Sequence, residues 1–562
     1  MLYTGITTKK FGTHQINDLS VKVIKKGEKN MKKKFFLAAL LTLTASMAVS
    51  GCQKAAKNDA EEAVKATIPG TYPIETDKTL RWWQSSQVKE GDQFGKFLEE
   101  ATGVKIEWEY PADASSAKTA FNLMVASDDM PDIITSGWAN SNGGPDYNIE
   151  KKIITDLTPY IEADIMPNLK KYIDEHQDLK KYMTSGTGKY YYFPQILGDE
   201  RLASFRTWFI REDLLQKAGL EKPETLEEWD NVLKAFAGMG IKTPLMAKFT
   251  TWQFRADAPF MACFNTPGDF YHDGKTVKYG LTEEGFGEWT KQMADWYKEG
   301  ILDKDFLNET EEHWSAEIIN GNNGAFLGSI GGNLGTYTDA IDPASGIKYV
   351  PCTIPTAVKG ERAMWSSKDF LVKAVGAAVS ATSKNKELAV RVLDYGYSEE
   401  GQRLWNFGKE GVSYEMKENS EGKMIPTYTD IIMDPAKRGG KTQGEVMGLY
   451  TRVGMPISVQ SIDYLYQNYK HQTQKDAIDL ACSSRTEEYA LPYGICTSDE
   501  EKQIADLLTP MDTYREETIC KIIAGKLPIE TLDEYFAKMK EMGAEKIIEI
   551  YQKAYDRFLE KE

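Results

Sequence analysis

The sequence predicts an α/β protein whose sheets are mostly parallel and whose C-terminal part is helical. Two observations carry this. Residues 80–134 read as strand, helix, strand, helix, strand, and amphipathic helical stripes dominate the middle and end of the chain. Leu80-Arg81-Trp82-Trp83-Gln84 is a β-prone run. Phe94, Phe97 and Leu98 then share a helical face that stops at Gly103. Val104, Ile106, Trp108 and Tyr110 alternate with Lys105, Glu107 and Glu109, the period of a strand. A second helix is expected over about Ala117–Ala126, and Asp132-Ile133-Ile134 supplies the third strand. Strands joined by crossover helices pair in parallel. Open sheets of this kind hold ligands beyond the carboxyl ends of their strands. Here those ends are Gln84-Ser85-Ser86 and Ser136-Gly137-Trp138.

Further along, Thr225-x-x-Glu228 is a capping box, with Leu226, Trp229, Leu233 and Phe236 following at helical spacing. Phe286, Trp289, Met293, Trp296 and Tyr297 form a second stripe ending at Gly300. Both stripes are expected in the core, because an amphipathic face needs no other explanation. Ser498-x-x-Glu501 and Thr531-x-x-Glu534 open later helices, and Ile547, Ile550, Tyr551, Ala554 and Phe558 stripe the last one.

The N-terminus indicates export. Met31-Lys32-Lys33-Lys34 precedes the apolar stretch Phe35–Val49 and the small residues before Cys52, the three parts of a secretory signal. The apolar stretch is shorter than the ~20 residues a spanning helix needs. Val49-Ser50-Gly51-Cys52 resembles a bacterial lipobox, which makes Cys52 the acylated first residue of the mature protein. The expected organisation is a mis-annotated leader at 1–30, a signal peptide at 31–51 and a flexible tether at 52–77. Five cysteines remain beyond Cys52, an odd number, and a bridge between Cys482 and Cys496 is at most a guess.

Charge narrows the partners. Residues 1–51 carry nine Lys against Asp18 and Glu28, so 59 of the 68 basic and 82 of the 84 acidic side chains lie beyond Gly51, a net −23. A body this acidic repels nucleic acid and anionic lipid surfaces. Catalytic signatures are missing. His176, His272, His313 and His471 are too far apart for a zinc motif. Gly328-Ser329-Ile330-Gly331 lacks the first glycine of a nucleophile elbow. Asp303, Asp305, Glu309 and Glu311 read as a solvated loop after a helix. No catalytic residue, metal or cofactor is expected.

Aromatic residues beside turn signals and planar polar groups suit sugars, whose C–H faces are apolar and whose hydroxyls take paired hydrogen bonds. Trp82, Trp83, Trp138, Tyr190, Tyr191, Tyr192, Trp208, Trp252, Phe254 and Trp365 lie outside the helical stripes. The candidate ligand residues are Trp83, Gln84, Trp138, Asn140, Trp252, Arg255, Trp365 and Asp369. Trp138 leads, as a partly exposed indole thrown into a cleft by a tight turn at Gly137.

Four segments together resemble the extracellular solute-binding lipoproteins of bacterial ABC importers, in their carbohydrate-binding branch. They are Arg206–Leu215 with Pro223-Glu224-Thr225-Leu226-Glu227-Glu228-Trp229; Trp296–Phe306; Ser383–Glu387 with Asp394-Tyr395, Ser398–Gln402 and Gly408–Glu415; and Ala554–Phe558. The resemblance implies a two-lobed fold of the periplasmic binding-protein type, with hinge crossovers near Phe193–Ser204, Val350–Pro355 and Trp405–Gly411. It assigns 78–204 plus 356–405 to the first lobe and 205–350 plus 412–562 to the second, with Gly324–Gly328 lining the cleft. It implies a monomer, lipid-anchored on the outer side of the cell membrane, that delivers a sugar or oligosaccharide to the permease subunits and touches no nucleic acid. The Asp/Asn-rich calcium loop of some relatives is missing. A surface-anchored carbohydrate-active enzyme, hydrolase or lyase, is the alternative.

Overall fold

The computed structural model describes residues 67–85, 90–113, 115–127, 129–247, 260–308, 310–365, 370–419 and 421–561. Its first elements follow the expected order: β1 (Thr79–Trp83), α1 (Phe94–Thr102), β2 (Lys105–Glu109), α2 (Ala117–Val125) and β3 (Ile133–Ser136). Gly103 closes α1 at φ 76°, a conformation glycine enters freely. After α3 (Pro167–Glu175) come β4 (Phe193–Leu197), β5 (Arg206–Arg211), α4 (Leu226–Gly238) and β6 (Thr243–Met246). The short strands β7 (Phe270–His272) and β8 (Val277–Tyr279) precede α5 (Glu284–Glu299), β9 (Asn323–Ser329), β10 (Tyr349–Cys352) and β11 (Val372–Val379). The chain continues through α6 (Lys386–Tyr395), α7 (Glu399–Phe407), the hairpin β12 (Tyr414–Glu418) and β13 (Met424–Tyr428), and β14 (Ser458–Gln460). It finishes with α8 (Ser498–Ile523), α9 (Thr531–Glu541) and α10 (Ala544–Leu559).

Two sheets organise two lobes. The larger runs β14-β4-β11-β3-β1-β2 and the smaller β10-β5-β9-β6. In the larger sheet β1 pairs in parallel with β2 and β3, β14 with β4, and only β11 opposes its neighbours. In the smaller one β6 is parallel to β9 and β5 opposes both its neighbours. The opposed strands β5 and β11 are the first along the chain after the first and second passages between sheets. A strand entering from the other lobe arrives at the end where crossover-built strands finish, so it runs against them.

Three connections pass between the sheets and lie side by side. The Leu197 amide donates to the Leu371 carbonyl at 2.8 Å, and the Gly198 amide to the Gln460 carbonyl at 3.0 Å. Buried Gln195 donates from Nε2 to Gln460 Oε1 at 2.6 Å, and Gln460 Nε2 donates to the Tyr464 hydroxyl. Gly198 is needed by close approach, since a Cβ there would lie 2.9 Å from the Gln460 oxygen. Connections bonded to one another side by side suit bending as a unit.

The third connection corrects an expectation. The chain leaves the larger sheet after Gln460, not near Trp405–Gly411, so residues 412–460 do not belong wholly to the second lobe. Leu404 and Trp405 are buried in the first lobe's core. The following segment is held to α1 by Lys409 with Glu100 and by the Phe97–Tyr450 ring contact, and to the turn before α1 by Arg452 with Asp92.

The tether expectation is also corrected at its end. Ile74 is buried, its amide donates to the Thr102 carbonyl, and the Tyr72 ring meets Tyr395 edge-on. Tyr72 and Ile74 are apolar anchors in a segment whose composition otherwise reads as polar linker, so burial overrides composition here. Cys52 and the signal segment lie outside the described residues.

The helical stripes are core: Trp229, Phe236, Trp289 and Trp296 are fully buried around the smaller sheet, with Ile547, Ile550, Ala554 and Phe558 of α10. Thr225 and Glu228 form the expected capping box. At α8 the box is Thr497 with Glu500, one residue earlier than expected, and at α9 no side chain caps Glu530. Cys263, Cys352, Cys482, Cys496 and Cys520 are all free thiols.

Candidate functional site

The carboxyl ends of β1, β2 and β3 build a recess on one face of the larger sheet. Alternation puts Trp82 and Gln84 on the same face. Trp82 stacks on Trp108 at 4.9 Å, its register partner on β2, and its indole N–H donates to Thr135 Oγ1 on β3 at 2.9 Å. Phe94 of α1 meets Trp405 of α7 edge-on at 5.0 Å. The Arg452 guanidinium lies 4.5 Å over the Phe94 ring and pairs with Asp92 at 2.9 Å. These groups, with Gln84, Met455, Pro456 and Ile457, line a cavity of ≈ 20 Å³, space for about one water. Ile457 holds φ 79°, strained for a β-branched residue, and its carbonyl lies so close to Gly396 that a Cβ there would sit 2.0 Å away.

The other face of the same strands carries an aromatic cluster of Trp83, Trp138, Tyr191 and Tyr192 with Ile134, Ile154 and Ala378. Phe121 of α2 spans it, 5.6 Å from Trp83 and 5.8 Å from Trp138. Tyr191 stacks on Tyr192 at 4.2 Å, and the Tyr192 hydroxyl donates to the Lys373 carbonyl. Burial pushes both phenols up.

Trp138 therefore departs from the expected partly exposed cleft wall. It is 0% exposed, and its indole N–H donates back to the Ile134 carbonyl at 2.9 Å. Gly137 adopts φ −77°, open to any residue, so the turn does not throw the ring outward. Trp83 and Gln84 are buried at the end of the same sheet, and Asn140 is exposed on the turn that follows β3. Trp365 is apart from these four. It is buried in the second lobe's core, where its carbonyl accepts from the Thr486 hydroxyl. Trp252, Arg255 and Asp369 lie outside the described residues.

Sequence reasoning missed Thr135, Arg452 and the recess itself. The alternation read in Val104–Tyr110 puts Trp108 on the face that pairs with Trp82 across β1 and β2, a signal available but not used. Arg452 reaches the site from a segment 360 residues beyond its partner Asp92, and no local pattern marks that. Asp303, expected in a solvated loop, is buried: its carboxylate accepts from the Asp305 amide, and its own amide donates to the Leu245 carbonyl. Among the described residues no group of three His, Cys, Asp or Glu could hold a metal ion, and no helix is long and apolar enough to cross a membrane. The arrangement sets amide, hydroxyl and guanidinium groups in front of buried aromatic rings, and polar groups of this kind can hold a polar ligand.

Comparison with known proteins agrees with the two-lobed fold. The chain is 27% identical to the fructooligosaccharide ABC transporter substrate-binding protein FusA of Streptococcus pneumoniae, over 94% of this chain and 99% of that one. It is 24% identical to the lipoprotein LipO of Bacillus subtilis over 69% of this chain and 74% of the relative. Among solved structures, FusA in complex with kestose superposes with a TM-score of 0.65 at 21% identity, covering 86% of this chain and all of that one. A calcium-free alginate-binding protein does so with a TM-score of 0.67 at 23% identity, covering 87% and 100%. The model of the bacterial extracellular solute-binding proteins matches residues 76–403, more than half of the chain. With its two α/β lobes and this match, the chain belongs to the bacterial extracellular solute-binding proteins.

Proposed function

We propose that the chain is the substrate-binding component of an ABC importer, which captures an oligosaccharide between its two lobes and delivers it to the permease subunits. The observation that carries the reading is end-to-end similarity to a fructooligosaccharide-binding protein. The amide and hydroxyl groups of Gln84, Thr135 and Asn140 at the ends of β1 and β3 support it. Fructooligosaccharides are the first ligand class to test. A hydrolase or lyase would need an acid and a base positioned on the glycosidic bond, and the family is one of binding proteins.

The ligand-facing groups we propose are Gln84, Thr135 and Asn140 on the first lobe, with Trp252, Arg255 and Asp369 retained from the sequence. The lobes we propose are the larger sheet with residues up to 204 and 370–460, and the smaller sheet with 205–365 and 461–562. Anchorage through acylated Cys52, on the outer side of the membrane and as a monomer, belongs to the same proposal.

Isothermal titration with kestose, nystose, raffinose, maltotriose and lacto-N-tetraose tests the function. Saturable binding of at least one is expected, and binding of none sinks it. Cys52→Ala should move the protein from the membrane fraction to the soluble fraction with an unchanged melting temperature, because the packed segments among the described residues begin at residue 67. A variant still membrane-bound after a high-salt wash would remove the lipid anchor from the account.

A further inference from the structure

We infer that Phe205, backed by Arg206, is a stacking platform for one sugar ring on the second lobe; the inference rests on the proposed oligosaccharide-binding role. Phe205 is 46% exposed, while every other Trp, Tyr and Phe among the described residues is buried or half-buried. A singly exposed apolar side chain is ordinary on a protein surface. The position of this one is not.

Phe205 immediately precedes β5, on the first connection between the lobes. Arg206 is in register with Ser329, the last residue of β9, and the Phe205 carbonyl accepts from the Ile330 amide at 2.9 Å. β6 runs parallel to β9. The ring thus stands at the carboxyl ends of the smaller sheet's parallel pair, the place where such sheets take ligands. It is the second-lobe counterpart of the strand ends that carry Gln84 and Asn140.

The surroundings fix the ring and leave room over it. The Arg206 guanidinium carbon lies 4.6 Å from the ring centroid, a cation–π contact that holds one face. Beside it the Ser329 amide and hydroxyl donate to Asn333 Oδ1, and Asn333 Nδ2 donates to the Tyr337 hydroxyl. Gly332 is exposed between them and presents no side chain. An aromatic face ordered before binding loses little freedom when a sugar covers it. Its apolar surface matches the C–H face of a pyranose or furanose ring.

The test uses the five-glycan titration panel and the member that the unmodified chain binds most tightly. Phe205→Ala is expected to weaken that binding by about ten- to a hundredfold, the scale of one ring stacked on an aromatic side chain. Phe205→Tyr should stay within about threefold, and the ligand-free melting temperature of both should match the unmodified protein. Wild-type binding with Phe205→Ala within about twofold of it overturns the platform and leaves the proposed function standing. Loss of binding in Phe205→Ala together with a lowered ligand-free melting temperature assigns the ring to folding and also overturns it. If the unmodified chain binds none of the five glycans, the proposed function fails, and the platform with it.

Discussion

Trp138→Ala should lower the free energy of unfolding by about 3–5 kcal/mol, the range for removing a large aromatic side chain from a packed interior. Two features set this scale. The indole is completely buried among Trp83, Phe121 and the Tyr191–Tyr192 stack, and its N–H is satisfied by the Ile134 carbonyl. Truncation leaves a cavity and an acceptor without its donor, at the point where β3 hands over to the turn bearing Asn140. Urea unfolding of the ligand-free variant measures the loss. Glycan affinity per folded molecule should remain within a few-fold, since the ring does not reach the surface. A variant as stable as the unmodified protein that no longer binds glycan would return Trp138 to the ligand.

Asp394→Ala should cost about 2–4 kcal/mol, because it strips a helix of its partner. Asp394 is fully buried on α6 and accepts from the Leu169 amide at 2.8 Å, the Asn168 amide at 3.1 Å and Asn168 Nδ2 at 2.8 Å. These amides belong to the first turn of α3, whose donors have no partner within the helix. Each left unpaired in the interior costs about 1–3 kcal/mol. Burial raises this carboxyl from 3.8 to about 6, against the three donors that lower it. The folded state therefore holds the proton more tightly than the unfolded one. The stability this linkage gives is fully present below pH 3.8 and is lost as pH rises through 6. The group alone makes the protein about 1.4 kcal/mol more stable at pH 5 than at pH 7. The gap between the unmodified protein and Asp394→Ala should widen by that amount at pH 5, read by urea unfolding at both pH values. A gap independent of pH would mean that the carboxyl titrates in the fold as it does in the unfolded chain.

What the sequence made legible was local and periodic. The alternation from Val104 to Tyr110, the stop at Gly103 and the stripe from Phe286 to Tyr297 each appear where spacing put them, because each is dictated by neighbours along the chain. The passage after Gln460 was not legible. β14 is three residues long, and its pairing with β4 joins positions some 265 residues apart, which no local period encodes. Tyr72 and Ile74 were hidden for a related reason: two apolar residues in a polar segment make no pattern until α1 and α6 are there to receive them. At the candidate site, topology pointed to the strand ends, and Asn140 is exposed there. Burial of Trp83 and Trp138 could not be read, since an aromatic at a strand end serves core and ligand equally well. Thr135 and Arg452 carried no signal, and Phe205 stood out only once the remaining aromatics were seen to be covered.

The central claim is that one oligosaccharide is held by both lobes at once. Amide hydrogen exchange, with and without a saturating glycan from the titration panel, tests it most directly. Slowed exchange is expected at the strand ends of both sheets together, around Gln84–Ser85 and Asn140 on the first lobe and around Phe205–Arg206 and Gly331–Asn333 on the second. Bound glycan that protects the segments of one lobe only, or neither set, would contradict it.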